Sequence, residues 1–207
     1  FRRRSNLVLT SRQQGKTHLA RMMMLGHMFL FDSPNVLIMS SNRSMALDTF
    51  RQVAYAIEAN DALSKSVKQI RFANGTESIE LKNGARLDVV AATRSGSRGY
   101  TSHFTWGDEL REWSDEAFTA ITPTTRATDG QTFWTSNAGD HFSQPLNELK
   151  SRASENPPKT FGYYEYNLLK DRPEFFSILG WSSPRKSSFR NNRQQRGDCG
   201  KYLNFKP

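Results

Sequence analysis

A chain of 207 residues, 36% of them hydrophobic, is long enough to bury the core of one sizeable domain. Its single cysteine, Cys199, excludes an internal disulfide or a thiolate metal site of its own, and no apolar run reaches the roughly 18 residues of a membrane helix. The net charge of +9 sits at the ends, with three arginines in residues 1–4 and seven Lys/Arg in residues 185–207 against Asp198 alone, which leaves the body between them balanced. In chain order, the opening Phe-Arg-Arg-Arg lacks the apolar core and cleavage site of a secretory signal, so a cytoplasmic-type protein is expected. A start at Phe1 without Met reads as a piece of a longer chain.

Leu7-Val8-Leu9-Thr10 is a short apolar strand that ends in Ser11-Arg12-Gln13-Gln14-Gly15-Lys16-Thr17, and an apolar helical pattern over residues 19–31 follows at once. Strand, polar turn, Gly-Lys-Thr and helix is the order of a phosphate-binding loop, in which backbone N–H groups cradle phosphates, Lys16 neutralises them and the Thr17 hydroxyl holds Mg²⁺. The common form of that loop has a first glycine where Thr10 stands, so the signature is partly met. Residues 35–40 read as a buried parallel strand and residues 44–58 as a second crossover helix, with a short helix expected within 61–69. Two such units argue for an α/β sheet whose ligands sit at the carboxyl ends of the strands.

The period then changes. Ile70-Arg71-Phe72, residues 78–81 and residues 86–90 alternate, with Asn74-Gly75 and Asn83-Gly84 between them as hairpin signals, which predicts a small antiparallel meander. A loop of small residues carrying Arg94 and Arg98 leads to His103-Phe104-Thr105-Trp106-Gly107-Asp108-Glu109, a short strand ending in two carboxylates. Strand alternation would send Asp108 and Glu109 to opposite sides and so to separate roles, one on a metal and one on water. A helix capped by Ser114 is predicted over 114–121, with Pro123 and Arg126 following it. Residues 130–139 form a further strand whose polar end, Thr135-Ser136-Asn137, is expected in the same crevice. A helix over 143–153, a β-like 161–166 and the basic tail complete the chain. The tail, with Phe189, Tyr202 and Phe205 among its cations, suits nucleic-acid phosphates and a solvated end equally well. His18, His27, His103 and His141 show no metal-ligand spacing and read as structural or surface residues.

Three of these motifs, in this order and spacing, resemble the ATPase domain of the large terminase subunit, the motor that packs DNA into tailed-phage and herpesvirus capsids. The resemblance covers roughly residues 5–155. Ser11-Arg12-Gln13 before Gly15-Lys16 is similar to that family's variant phosphate loop, Asp108-Glu109 to its metal-binding and catalytic acids, and Thr135-Ser136-Asn137 to its coupling motif. The resemblance implies a P-loop NTPase of the RecA-like/ASCE type, α/β with a mainly parallel central sheet flanked by helices and the meander inserted. It implies ATP bound by residues 11–17 and Asn137, Mg²⁺ held by Thr17 and Asp108, and Glu109 as the catalytic carboxylate that polarises the attacking water, with Arg12 acting in cis and Arg98 on a neighbouring subunit's nucleotide. Implied partners are double-stranded DNA, a portal protein, a small terminase subunit and further copies in a ring, docked on a procapsid in the host cytoplasm.

The expected organisation is an ATPase core over 1–155 and a C-terminal subdomain or linker with a basic tail over 156–207. The family's adenine-contact motif is expected before Phe1, and no nuclease is expected here, because the acids after residue 150 form no strand-borne cluster. Two other readings share these features: a helicase-like nucleic-acid-dependent ATPase, and a catalytically silent DNA-binding or assembly module.

Overall fold

The computed structural model describes residues 3–31, 33–92, 100–155, 157–166 and 204–205. Strand β1 (Ser5–Thr10) leads through the Gly15 loop into α1 (Lys16–Phe29), followed by β2 (Asn35–Ser40) and α2 (Arg43–Glu58). A one-turn α3 (Asp61–Ser64) precedes β3 (Val67–Arg71), β4 (Ser78–Leu81) and β5 (Arg86–Ala91). The second half holds β6 (Phe104–Asp108), a 3-10 turn (Leu110–Glu112), α4 (Asp115–Arg126), β7 (Gln131–Ser136), α5 (Gln144–Glu155) and β8 (Phe161–Tyr166). The strands form one sheet in the order β3-β4-β5-β2-β6-β7-β1-β8, with the two residues Asn204–Phe205 (β9) paired antiparallel to β8.

Pairing from β5 through β2, β6, β7 and β1 to β8 is parallel throughout. The predicted meander is present, and its last strand is part of the parallel sheet: β4 runs antiparallel to both β3 and β5, while β5 lies parallel to β2. Residues 161–166, beyond the expected core boundary, pair along the whole of β1 from Ser5–Phe161 to Thr10–Tyr166.

Helices cover both faces, which is why β1 and β2 read as unbroken apolar runs. Val8, Val36 and Ile38 pack with Met24 and Met28 of α1 and Phe50 of α2 on one face. Leu7, Leu9, Leu37 and Met39 pack with Ile121 of α4 and Leu146 and Leu149 of α5 on the other. The polar residues of β6 do not lift it from the core, for all five of its residues are buried. The hydroxyls of Ser102 and Thr105 satisfy each other at 2.7 Å, and Trp106 Nε1 donates to Thr135 Oγ1 at 2.9 Å. Gly107 is small because an added Cβ would run into the Trp134 ring.

Helix α4 runs past the expected stop and carries Pro123 inside it. Tertiary bonds hold its last turn instead: Ser102 N–H donates to Thr124 O at 2.9 Å and Gly130 N–H to Thr125 O at 2.9 Å.

His27 is structural, as expected. Its ring stacks on Phe104 at 4.2 Å, Nδ1 meets the Ser33 hydroxyl at 2.8 Å and Nε2 meets Gln131 Oε1 at 3.2 Å. Burial lowers its pKa below the ordinary 6.5, against a smaller opposing pull from the Gln131 bond. A lowered folded pKa gives stability that is present above the unfolded value and is lost as pH falls through the folded one. Urea midpoints of the parent are therefore expected to fall between about pH 7 and about pH 5, and His27→Gln to flatten that fall. An equal fall in both proteins contradicts this role.

Candidate active site

The loop after β1 turns on two left-handed residues, Gln13 at φ 58° and Gly15 at φ 83°. Gly15 is also the N-cap of α1, and an added Cβ there meets nothing within 4 Å, so the glycine answers a backbone requirement and not a crowded one. Left-handed residues alternating with ordinary ones at the start of a 14-residue helix make a concave backbone suited to anions.

Lys16, the first residue of α1, returns over this loop. Its Nζ donates to Thr10 O at 3.3 Å, to Ser11 O at 3.1 Å and to Asn137 Oδ1. Desolvation lowers its pKa, and the charges of Glu109 and Asp108 push the other way.

Asp108 ends β6 at 6% exposure. Its Oδ1 accepts from the Thr135 hydroxyl at 2.8 Å, and Trp113 Nε1 donates to its backbone carbonyl at 2.9 Å. Burial raises its pKa, opposed chiefly by the Thr135 bond. A carboxylate that burial disfavours is primed to accept a cation.

The expected alternation fails at Glu109. The residue leaves the strand in the left-handed region at φ 48°, so both carboxylates line one cleft instead of pointing to opposite sides. Their roles stay separate because their partners differ. Asn137 Nδ2 donates to Glu109 Oε1 at 3.0 Å, and Arg111 Nε lies 3.4 Å from Glu109 Oε2 in an ion pair that is not a hydrogen bond.

The three polar residues at the end of β7 each hold a different part of this cluster. Thr135 bonds Asp108, the Ser136 hydroxyl accepts the Arg111 N–H at 3.1 Å, and Asn137 bridges Lys16 and Glu109. The result is an open cleft of about 940 Å³ lined by residues 12–18, Arg21, residues 41–43, Met45, Asp108, Glu109, Arg111, Glu112 and Asn137. A nest, a lysine and two carboxylates on one cleft can bind a polyphosphate and a cation and orient a nucleophile.

A family model described as terminase large subunit, T4likevirus-type, N-terminal, matches residues 7–194. The chain belongs to the large terminase family. Its loop, acid pair and Thr135–Asn137 segment all lie inside the matched residues. The HK97 bacteriophage large terminase superposes with a TM-score of 0.71 at 17% identity, covering 82% of this chain and 36% of that one. The Thermus phage P74-26 large terminase ATPase domain gives 0.66 at 15% identity, over 89% of this chain and 85% of that one. The large terminase of another thermophilic bacteriophage, in complex with ATP-gamma-S, gives 0.58 at 12% identity, over 79% and 39%. At these identities the superpositions establish the fold, and the chain spans about a third of the HK97 protein. No curated protein matches the sequence.

The structure brings Arg12, Gln13, Gln14, Gly15, Lys16, Thr17, Asp108, Glu109 and Asn137 to one cleft. Thr135 and Ser136 are fully buried at its floor, and Ser11 is an exposed loop residue whose carbonyl receives Lys16. Arg98 lies outside the described residues. Sequence reasoning missed Arg111, His18, Arg21 and Arg43 on the cleft walls. Arg111, two residues beyond the acid pair, had a signal in its position, and Arg21 lies one helical turn beyond Thr17.

Proposed function

We propose that this domain hydrolyses ATP to drive double-stranded DNA into a viral capsid. The observation that carries the reading is the convergence of Lys16, Asp108 and Glu109 on one cleft, with Asn137 bonded to both Lys16 and Glu109. The loop nest and Lys16 take the β- and γ-phosphates, and Arg12, exposed on the same loop, adds charge where the γ-phosphoryl group leaves. Thr17 and Asp108 fit Mg²⁺: both line the cleft, and Asp108 is a buried carboxylate whose Oδ1 accepts from the neutral Thr135 hydroxyl and which no cationic side chain hydrogen-bonds among the described residues. Bound there, Mg²⁺ would neutralise phosphate charge. Glu109 orients water and takes up its proton, giving ADP and phosphate. Lys16 leaves Asn137 Oδ1 for the phosphates, and Asn137 passes the change along β7.

The same reading makes residues 1–155, with the β8 strand that pairs along β1, the ATPase core and the rest of 156–207 a subdomain or linker with a basic tail. It places the protein with portal and small terminase subunits, as a ring on a procapsid in the host cytoplasm. Complexes of the thermophilic-phage terminase with ADP and with ATP-gamma-S support nucleotide as the ligand class.

The test is phosphate release from ATP by the protein assembled on portal-bearing procapsids. Release is expected to need Mg²⁺, to stop with EDTA and to rise with double-stranded DNA. Hydrolysis indifferent to DNA sinks the motor reading, and DNA binding without hydrolysis favours the silent module. Arg98 acting across subunits predicts that mixing Arg98→Ala with Glu109→Gln protein restores part of the turnover that each lacks alone. No recovery in mixed rings removes that role.

A further inference from the structure

We propose that Arg111 reads the terminal phosphate of the nucleotide: it pairs with Glu109 until a triphosphate competes for it, then moves to the γ-phosphate and releases Glu109 to its water. The inference rests on the ATPase reading and extends it to a residue for which no role has been given. Its first support is placement. The Arg111 backbone is pinned by the Ser136 hydroxyl at 3.1 Å, while its side chain, 27% exposed, lines the same cleft as Lys16, Thr17 and Asn137.

The second support is the quality of its bonds. Glu109 Oε2 and Arg111 Nε stand 3.4 Å apart, and both are buried atoms without a hydrogen bond. The other arm of the guanidinium reaches Glu112 at 3.0 Å, but that carboxylate is 54% exposed, so water screens the pair. A buried donor held by charge alone gains more from a group that also completes its hydrogen bonds.

A terminal phosphate is such a group. It offers three oxygens and more charge than one carboxylate, in a shape that the planar guanidinium matches with two parallel bonds. Its arrival does not set Glu109 adrift, because Asn137 keeps Glu109 Oε1 at 3.0 Å. A diphosphate ends short of this competition and leaves the Glu109–Arg111 pair intact. The discriminating feature is therefore ATP against ADP, and a residue that merely balanced the charge of Glu109 would not show it.

Equilibrium binding of AMP-PNP and of ADP, each with Mg²⁺, tests this in the parent, Arg111→Ala and Arg111→Lys, and in the same three with Glu109→Gln. Arg111→Ala is expected to weaken AMP-PNP by about 10- to 100-fold and to leave ADP within about twofold, with Arg111→Lys between. Glu109→Gln frees Arg111 and is expected to tighten AMP-PNP only where Arg111 is present. An unchanged ratio of the two affinities in Arg111→Ala overturns the proposal, as does equal weakening of both ligands. Should Arg111→Ala fail to fold, the ratio in Arg111→Lys decides: a partial loss supports the proposal and parental values overturn it. If the parent binds neither nucleotide, the ATPase reading falls and the proposal with it.

Discussion

Lys16→Ala is expected to lower ATP turnover by at least about 10²- to 10³-fold and to remove tight binding of ATP and ADP together. Three polar groups converge on its Nζ: the carbonyls of Thr10 and Ser11 and the Asn137 amide oxygen. None is a carboxylate, so no carboxylate bonds the cation directly, and desolvation lowers its pKa against the opposing charges of Glu109 and Asp108. Such a charge is a cost to the fold and a gain to polyanion binding. Its removal is expected to leave the thermal midpoint intact while binding is lost. Titration of ADP with Mg²⁺ into the variant, with a thermal melt beside it, checks both halves. Near-parental binding sinks the role of Lys16.

Glu109→Gln is expected to separate the two steps that Lys16→Ala abolishes together. Glutamine has nearly the shape of glutamate and can still accept from Asn137 Nδ2, so the cleft keeps its geometry and nucleotide still binds. What disappears is the base. Turnover is expected to fall by about 10²- to 10⁴-fold. A single-turnover measurement of phosphate release with bound ATP checks it, and release at the parental rate excludes Glu109 as the residue acting on water.

Local chemistry made part of this site legible. The strand before Ser11, the glycine whose φ of 83° starts α1, the acid pair at the end of β6 and the Ser114 cap of α4, which accepts from Ala117 N–H at 3.3 Å, are written in short stretches of sequence. Sheet membership was legible where both faces are buried, as in β1 and β2, because a run with no polar face has one explanation. Three features were not legible, for physical reasons. Alternation along β6 predicted opposed carboxylates, and the left-handed turn at Glu109 undid it, since alternation holds only while the chain stays extended. Pro123 reads as a stop from its missing N–H, whereas the last turn of α4 is held by donors from Ser102 and Gly130 that local sequence does not show. Asn137 and Lys16, far apart in sequence, were expected in one crevice, but the bond between them was not, because it is made by sheet order: β7 lies beside β1. The same separation hid the bond between Ser136 and Arg111, and with it the reason to look beyond Glu109 along the chain.

The proposed coupling role of residues 135–137 draws on this geometry. Thr135, Ser136 and Asn137 touch, in turn, Asp108, the Arg111 backbone, and both Lys16 and Glu109, and their strand β7 lies parallel to β1 and β6, which is the contact set the proposed coupling role would use. Trp106 of β6 and Trp134 of β7 are buried in the core, which makes small displacements at the cleft costly to absorb locally.

A structure of the protein with ATP-gamma-S and Mg²⁺ bound tests the central claim most directly. The expected result is a triphosphate seated on residues 11–17, Lys16 moved from Asn137 to the phosphates, the cation between Thr17 and Asp108, and Glu109 facing the γ-phosphate. A nucleotide seated elsewhere, with Lys16 still bonded to Thr10, Ser11 and Asn137, contradicts it.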